Sequence, residues 1–338
     1  MSDVIHKILA ILADGKNLPQ DMATRAFQVI MNGGATPAQI AAFLMALRIK
    51  GETVEEITAG AIAMRAKAGK FNSVEGAIDT CGTGGDSRGT YNISTATAFV
   101  LAACGVPVVK HGNRSVSSKS GSADVLEVLG VKINAETVVL EKCLRECGIA
   151  FLMAQKFHPA MRHVAPIRTE LGFRTIFNIL GPLSNPANPP FQLLGVYSKS
   201  LLFPMADVLK SLGLKSAWVV HGSDGLDELT LTGKTFVAEL KNNEINEFEV
   251  SPENAGLPIA SIEDLKGKDP QYNASAMIEA LSGIENAYRN AIVYNAAAGL
   301  VIAGKAENLK TGAELAKQAI DSSKAYAILQ KLGSVSNS

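Results

Sequence analysis

From about residue 75 the chain alternates short apolar runs with helical stretches ending at glycine, and few architectures accept that rhythm. The runs GAIDT, VPVVK, IAFLMA, LLGVYS and SAWVVHG have the length and residue types of strands. Between them lie STATAFVLAACG, SADVLEVLG, ETVVLEKCLRECG and LLFPMADVLKSLG, whose Gly105, Gly130, Gly148 and Gly213 stand where helix C-caps belong. This alternation predicts an α/β domain around a mainly parallel sheet. In such sheets ligands gather at the C-terminal ends of the strands, on the loops that enter the next helix.

The first 70 residues read differently. Thr36-Pro37 offers a cap and a first-turn proline ahead of AQIAAFLMALRIKG, and Thr53 with Glu56 fits a capping box before ITAGAIAMRAKAG. The expected organisation is a small all-helical N-terminal domain over residues 1–70 and a large α/β domain over 75–338. Residues 158–185 break the alternation and are expected to pack back on the helices, while 235–252 reads as a β-hairpin around an Asn-rich turn. Lys+Arg and Asp+Glu balance at 32 each, which argues against a nucleic-acid binder. The four cysteines show no zinc spacing, the N-terminus does not read as a signal peptide, and no apolar span reaches membrane length, so a cytoplasmic protein without membrane partners is expected.

Three loops and one helical segment carry the chemistry. DTCGTGGDSRGTYNIST, residues 79 to 95, joins a strand to a helix. Its Gly82, Gly84 and Gly85 let backbone N–H groups approach an anion, beside a helix N-terminus that favours negative charge. It matches neither common nucleotide-binding loop, so a tight turn competes with a phosphate cradle; Asp86, Thr90, Asn92, Ser94 and Thr95 tip the reading toward a ligand. KHGNRSVSSKSGSADVLE, residues 110 to 127, sets three cations and five serines in a second strand-to-helix loop, suited to a polyanion. HGSDGLDELT, residues 221 to 230, presents Asp227 and Glu228 as hard oxygen ligands for magnesium shared with phosphate. Among His158, Arg162, His163, Arg168 and Arg174, one arginine facing the cleft would suit a substrate carboxylate.

Together, and in this order, these segments resemble the anthranilate phosphoribosyltransferases; KHGNRSVSSKSGSADVLE and FRTIFNILGPLSNPA are the most specific stretches, and the resemblance runs through NAAAGLVIAGKAENLKTGAELAKQAID. The family implies transfer of phosphoribose from phosphoribosyl pyrophosphate to the amine of anthranilate, two magnesium ions per monomer, and a homodimer formed through the helical domain. Carried over by motif, phosphoribosyl pyrophosphate would meet Gly82, Gly85, Asp86, Thr90, Asn92, Ile93, Ser94 and Thr95. It would also meet Lys110, His111, Gly112, Asn113, Arg114, Ser115, Val116, Ser117, Ser118 and Ser122. Anthranilate would meet Gly82, Asn113 and Arg168, with His158 and Pro182 along its access route, and Ser94, Asp227 and Glu228 would hold the metal. No residue is assigned as a general acid or base. The chain departs from the family's usual pattern at Ser87-Arg88, where a glycine often follows the acid, and at Gln155, where a proline is common. Two rivals stay open: a pyrimidine nucleoside phosphorylase, and a non-catalytic relative that binds nucleic acid.

Overall fold

The computed structural model describes residues 2–86, 88–115 and 119–338. Four helices open it: α1 (Ser2–Ala13), α2 (Gln20–Met31), α3 (Pro37–Lys50) and α4 (Val54–Lys67). Thr36 and Gln39 close a capping box on α3, and Thr53 and Glu56 close one on α4. The second box does more than cap a helix. Glu56 is fully buried; its Oε1 accepts the Leu18 N–H at 2.9 Å, and its Oε2 accepts the Thr53 N–H and the Lys50 ammonium, each at 2.9 Å. One carboxylate thus ties the entry to α2, the end of α3 and the start of α4.

The α/β part holds a seven-stranded sheet of β1 (Ile78–Gly82), β2 (Val108–Gly112), β3 (Ile149–Met153), β4 (Phe191–Gly195), β5 (Ser216–Gly222), β6 (Thr235–Lys241) and β7 (Glu244–Val250). The order is β3-β2-β1-β4-β5-β6-β7, with parallel pairing from β3 through β5 and antiparallel pairing from β5 to β7. Its helices are α5 (Ile93–Ala103), α6 (Ser122–Val128), α7 (Thr137–Cys147), α8 (Ala154–Phe157), α9 (Ala165–Leu171), α10 (Phe177–Leu183) and α11 (Leu202–Ser211). The chain closes with α12 (Pro270–Leu281), α13 (Ala287–Ile302), α14 (Leu309–Asp321) and α15 (Lys324–Ser336). The apolar all-round helices α5 and α13 are buried together in the main core. A second core runs unbroken from Phe27 and Phe43 of the bundle to Leu194, Val219 and Ala238 of the sheet, through Met205 and Leu209 of α11.

Residues 158–183 return to the bundle. Phe177 meets Phe27 edge-on with ring centroids 6.1 Å apart, and the missing side chain of Gly60 leaves room for Leu180. The hairpin turn is Asn242-Asn243 with φ of 52° and 63°, the left-handed pair that a two-residue turn requires and asparagine tolerates. Glu244, Glu247 and Glu249 on β7 keep that open edge charged. One boundary differs from the sequence reading: β1 continues past Thr80 through Cys81 and Gly82, because β4 pairs with it in register as far as Gly82 opposite Gly195.

Glu56→Ala leaves the Leu18 and Thr53 N–H groups without their acceptor and takes the paired carboxylate from the buried Lys50 ammonium, which keeps the neutral oxygens of Asn17 and Gly51. Chemical denaturation followed by circular dichroism should show a loss of about 3–5 kcal/mol, whereas Lys234→Ala, which breaks only the exposed pair with Glu249, leaves the midpoint unchanged.

Candidate active site

The chain runs from β1 to β2 and β3 in one direction and then crosses to β4 and β5 on the other side, so the strand order reverses between β1 and β4. The carboxyl ends at that reversal form the crevice where open α/β sheets bind ligands. Both strands end there in glycine, side by side, and both glycines are needed. A Cβ on Gly195 would overlap the Asp227 carbonyl, and one on Gly82 would lie 2.5 Å from Asp227 Oδ2. The loop after β5, turned by Asp224 and Gly225, can therefore lay its acid pair across the sheet end. Asp224 itself is spent on the turn, accepting the Leu226 N–H at 3.1 Å and the Thr230 and Thr232 hydroxyls at 2.8 Å each.

Asp227 Oδ2 accepts the Gly84 N–H at 2.8 Å, where Gly84 and Gly85 hold φ of 66° and 74°. Glu228 Oε1 accepts the Ser94 N–H at the start of α5 at 3.1 Å. Burial pushes both carboxyls up toward neutrality; Asp86 adds to the shift of Asp227, and Asp227 to that of Glu228. Two hard carboxylates crowded together at a helix N-terminus lower their energy by taking either protons or a cation. The donor set therefore fits magnesium. Among the described residues no third His, Cys, Asp or Glu completes a cage, so a metal here would draw its other ligands from phosphate oxygens and water.

Beneath the acids lies a buried polar layer. Lys110 reaches from β2 to the Thr80 carbonyl and stands 3.3 Å from Ser94 Oγ. Asp79, fully buried on β1, accepts the His111 N–H at 3.2 Å and the Asn185 amide at 2.8 Å. Burial holds the Asp79 carboxyl up at about 6, against the pull of Lys110 and those hydrogen bonds. His111 Nδ1 stands 3.2 Å from the Gly181 carbonyl beside Pro182, and its ring meets His158 at 5.1 Å. Burial drives His111 down to about 3 and His158 down to about 4, so both rings are neutral at neutral pH. Arg168 on α9 stands 3.3 Å from Asn178 Oδ1 and 5.8 Å from the Phe177 ring centroid.

The expected residues divide by what their side chains do. Gly82, Gly85, Asp86, Ser94, Lys110, Asp227 and Glu228 gather around the end of β1. Thr90 pairs with Lys266 in an isolated bridge. Ile93 and Thr95 turn into the core at 1% exposure each, leaving backbone groups of the first turn of α5 as their only offer to an anion. Arg114 is held by Asp124 at 2.9 Å and Glu127 at 3.0 Å, and the Ser115 N–H also goes to Asp124. Gly112 keeps clear of Ser122 and Phe151, while Asn113 is exposed and its carbonyl accepts from Ser122 Oγ at 3.2 Å. Val116, Ser117 and Ser118 lie outside the described residues, as does Ser87. Sequence reading passed over Asp79, Gly195, Asn185 and Asp124. It also left Arg174 unplaced: the guanidinium donates to the Gly85 carbonyl and lies 4.3 Å from the Tyr197 ring centroid. An acid inside the apolar run GAIDT was the available signal for Asp79.

Two family models account for this arrangement: the glycosyl transferase helical bundle domain matches residues 6–68, and the glycosyl transferase a/b domain matches residues 74–326. The anthranilate phosphoribosyltransferase of Rhodospirillum rubrum is 56% identical over 97% of this chain and 94% of its own length. A crystal structure of the Thermus thermophilus enzyme of that name superposes with a TM-score of 0.93 at 42% identity, over 98% of this chain and 99% of that one. The Saccharomyces cerevisiae enzyme in complex with phosphoribosyl pyrophosphate and magnesium gives a TM-score of 0.90 at 28% identity, over 100% of this chain and 99% of that one. The chain belongs to the anthranilate phosphoribosyltransferase family.

Proposed function

We propose that the protein joins phosphoribosyl pyrophosphate to anthranilate, releasing pyrophosphate and forming N-(5-phosphoribosyl)-anthranilate for tryptophan biosynthesis. The observation that carries this reading is the convergence at the end of β1 of a glycine loop, the start of α5, a buried lysine and two crowded carboxylates. That combination suits a pyrophosphate ester bound with its metal, and the yeast relative in complex with phosphoribosyl pyrophosphate and magnesium supports it.

Anthranilate carries an aniline nitrogen whose lone pair is free at neutral pH, so attack on C1 of the ribose needs no strong base. The neutral His111 and His158 fit that requirement: they wall a passage without offering charge. Arg168 and Asn113 are assigned to the anthranilate carboxylate and its ring, with Gly82 allowing close approach and His158 and Pro182 along the way in. Departure of pyrophosphate and positive charge at C1 set the barrier. Ser94, Asp227 and Glu228 would hold magnesium, two ions per monomer, which when bound would offset the negative charge of the leaving pyrophosphate. The Gly84 and Ser94 N–H groups hold Asp227 and Glu228 in place beforehand, and the N-terminal end of α5 favours negative charge beside them, so the surroundings of the phosphates need little reorganisation during the step. Lys110 lies beneath the acids, and the second loop, Lys110 to Ser118 with Ser122, is assigned to phosphoribosyl pyrophosphate. Inversion at C1 follows from the amine entering opposite the pyrophosphate. Holding both substrates in line supplies the remainder of the rate.

The fold divides between residues 70 and 75, with 158–185 riding on the helices. We assign a homodimer to the helical part, whose Met45, Ile49 and Ile62 are exposed apolar residues on α3 and α4. A reducing cytoplasm suits the free thiols of Cys81, Cys104, Cys143 and Cys147.

Anthranilate fluorescence should decay only when phosphoribosyl pyrophosphate and magnesium are both added to the purified protein; a steady signal with both present removes the reading. Arg168→Ala should raise the KM for anthranilate on the order of tenfold or more, since it removes a charge-assisted hydrogen bond, and leave that for phosphoribosyl pyrophosphate nearly unchanged. Because the raised carboxyls of Asp227 and Glu228 must lose protons before binding a cation, magnesium affinity should rise as pH is increased through neutrality. Calorimetry in buffers of different ionisation enthalpy should detect released protons, and the Asp227→Asn/Glu228→Gln protein should bind magnesium weakly, with that release gone.

A further inference from the structure

A strap before α12 is sewn onto the outgoing limb of the glycine loop. The Tyr91 N–H donates to the Leu265 carbonyl at 3.0 Å, the Gly267 N–H to Gly89 at 2.9 Å, and the Lys266 ammonium to the Arg88 carbonyl at 2.8 Å. Gly267 has no freedom to carry a side chain, since a Cβ would lie 2.7 Å from the Thr90 carbonyl and 2.8 Å from Asn273 Oδ1. Asn273 itself sits in the first turn of α12 at 1% exposure. Its Oδ1 accepts the Lys268 N–H at 2.8 Å and its Nδ2 donates to Asn92 Oδ1 at 3.0 Å. Asn92 uses the rest of its amide on the second loop: its Nδ2 donates to the Ser120 carbonyl at 3.1 Å, and its Oδ1 also accepts from Ser120 Oγ at 3.3 Å.

The amide of Asn92 has one orientation compatible with these partners. If it were flipped, its nitrogen would face the Asn273 NH2 and its oxygen the Ser120 carbonyl, pairing donor with donor and acceptor with acceptor. Asn273 and the Ser120 carbonyl therefore hold Asn92 in one orientation from opposite ends, and through it the end of the second loop is fastened against the start of α5. The limb is braced from the other side by stacked rings, with Tyr91 4.4 Å from buried Tyr288 and 5.9 Å from Tyr272, and the Tyr288 hydroxyl donates to the Asn92 carbonyl at 3.2 Å.

We propose that Asn273 is a positioning residue that registers the two phosphate loops against each other through Asn92, setting affinity for phosphoribosyl pyrophosphate without touching it. The proposal rests on the phosphoribosyl-transfer reading of the same site.

The test is steady-state kinetics of Asn273→Ala and of the isosteric Asn273→Asp, beside hydrogen exchange of the amides of residues 91–96 and 119–123. The expected result is a KM for phosphoribosyl pyrophosphate raised about tenfold, on the order of the loss of one largely buried hydrogen bond. The KM for anthranilate should stay within about twofold, with faster exchange in both segments. A fold-wide loss of stability alone would shift both substrates together. Should Asn273→Ala fail to fold, Asn273→Asp keeps the volume and turns the donor into a carboxylate oxygen, and repeating its kinetics at a pH low enough to protonate that carboxyl separates the lost donor from the added charge. Adding Asn92→Ala to either variant should cost little more, because the two side chains act as one unit. An unchanged KM for phosphoribosyl pyrophosphate in a folded variant, equal rises for both substrates, or unaltered exchange overturns the proposal. If the parent protein itself shows no transfer, the functional reading fails first, and the exchange measurement still decides whether Asn273 holds the two loops together.

Discussion

The site depends on two adjacent parallel strands ending in glycine at the same level. With Gly82 and Gly195 in register, the backbone of Asp227 can rest on the sheet end where any side chain would collide. This close approach brings Asp227 to the Gly84 N–H and Glu228 to the Ser94 N–H. Sheet register, glycine loop, helix start and acid pair therefore stand or fall together. A glycine in a strand interior ordinarily weakens it by losing packing and adding entropy to the unfolded chain. Here the weakness falls at the strand ends, where the following loop covers it.

Crowding carboxylates over a sheet end raises an electrostatic difficulty, which the layer beneath addresses. Lys110 is nearly fully buried and lies among the Thr80 carbonyl, Ser94 and the acids, while Asp79 is satisfied by His111 and Asn185. Buried charges are tolerated only when paired and hydrogen-bonded. Asn185 also donates to the Val109 carbonyl on β2, so the segment after α10 is fastened to the sheet by the same amide that satisfies Asp79. The segment bearing His158 and Arg168 is thus anchored at its far end to the strands that form the phosphate side.

Much of this was legible in the sequence, because the signals were local. The rhythm of strands and helices, the glycine caps, the two capping boxes and the Asn-Asn turn each lie within a few residues of the structure they dictate. What could not be read is the set of partners far apart in the chain. Asp79 meets Asn185 across 106 positions and Asn92 meets Asn273 across 181, and neither asparagine sits in a pattern that announces its partner. Nor does a motif show which of its side chains also shape the loop. Arg114, Asn92 and Thr95 belong to loops that look dedicated to a ligand, yet Arg114 is tied to Asp124 and Glu127, Asn92 to its neighbours, and Thr95 points into the core. A binding loop spends part of its polar inventory on its own shape, and a sequence shows the total without the division.

That division has a consequence for how the second loop works. Its neck is closed by one carboxylate: Asp124 accepts the Ser115 N–H at 3.0 Å and the Gly121 N–H at 2.9 Å, and pairs with Arg114 at 2.9 Å. Gly121 lies so close to the Ser115 backbone that no side chain fits between them. Both ends of the loop are consequently set by α6, which is itself packed into the main core through Ala123, Val125 and Leu126. The position of that neck relative to the start of α5 is therefore fixed twice, by the core beneath α6 and by Asn92, whose amide holds the Ser120 carbonyl.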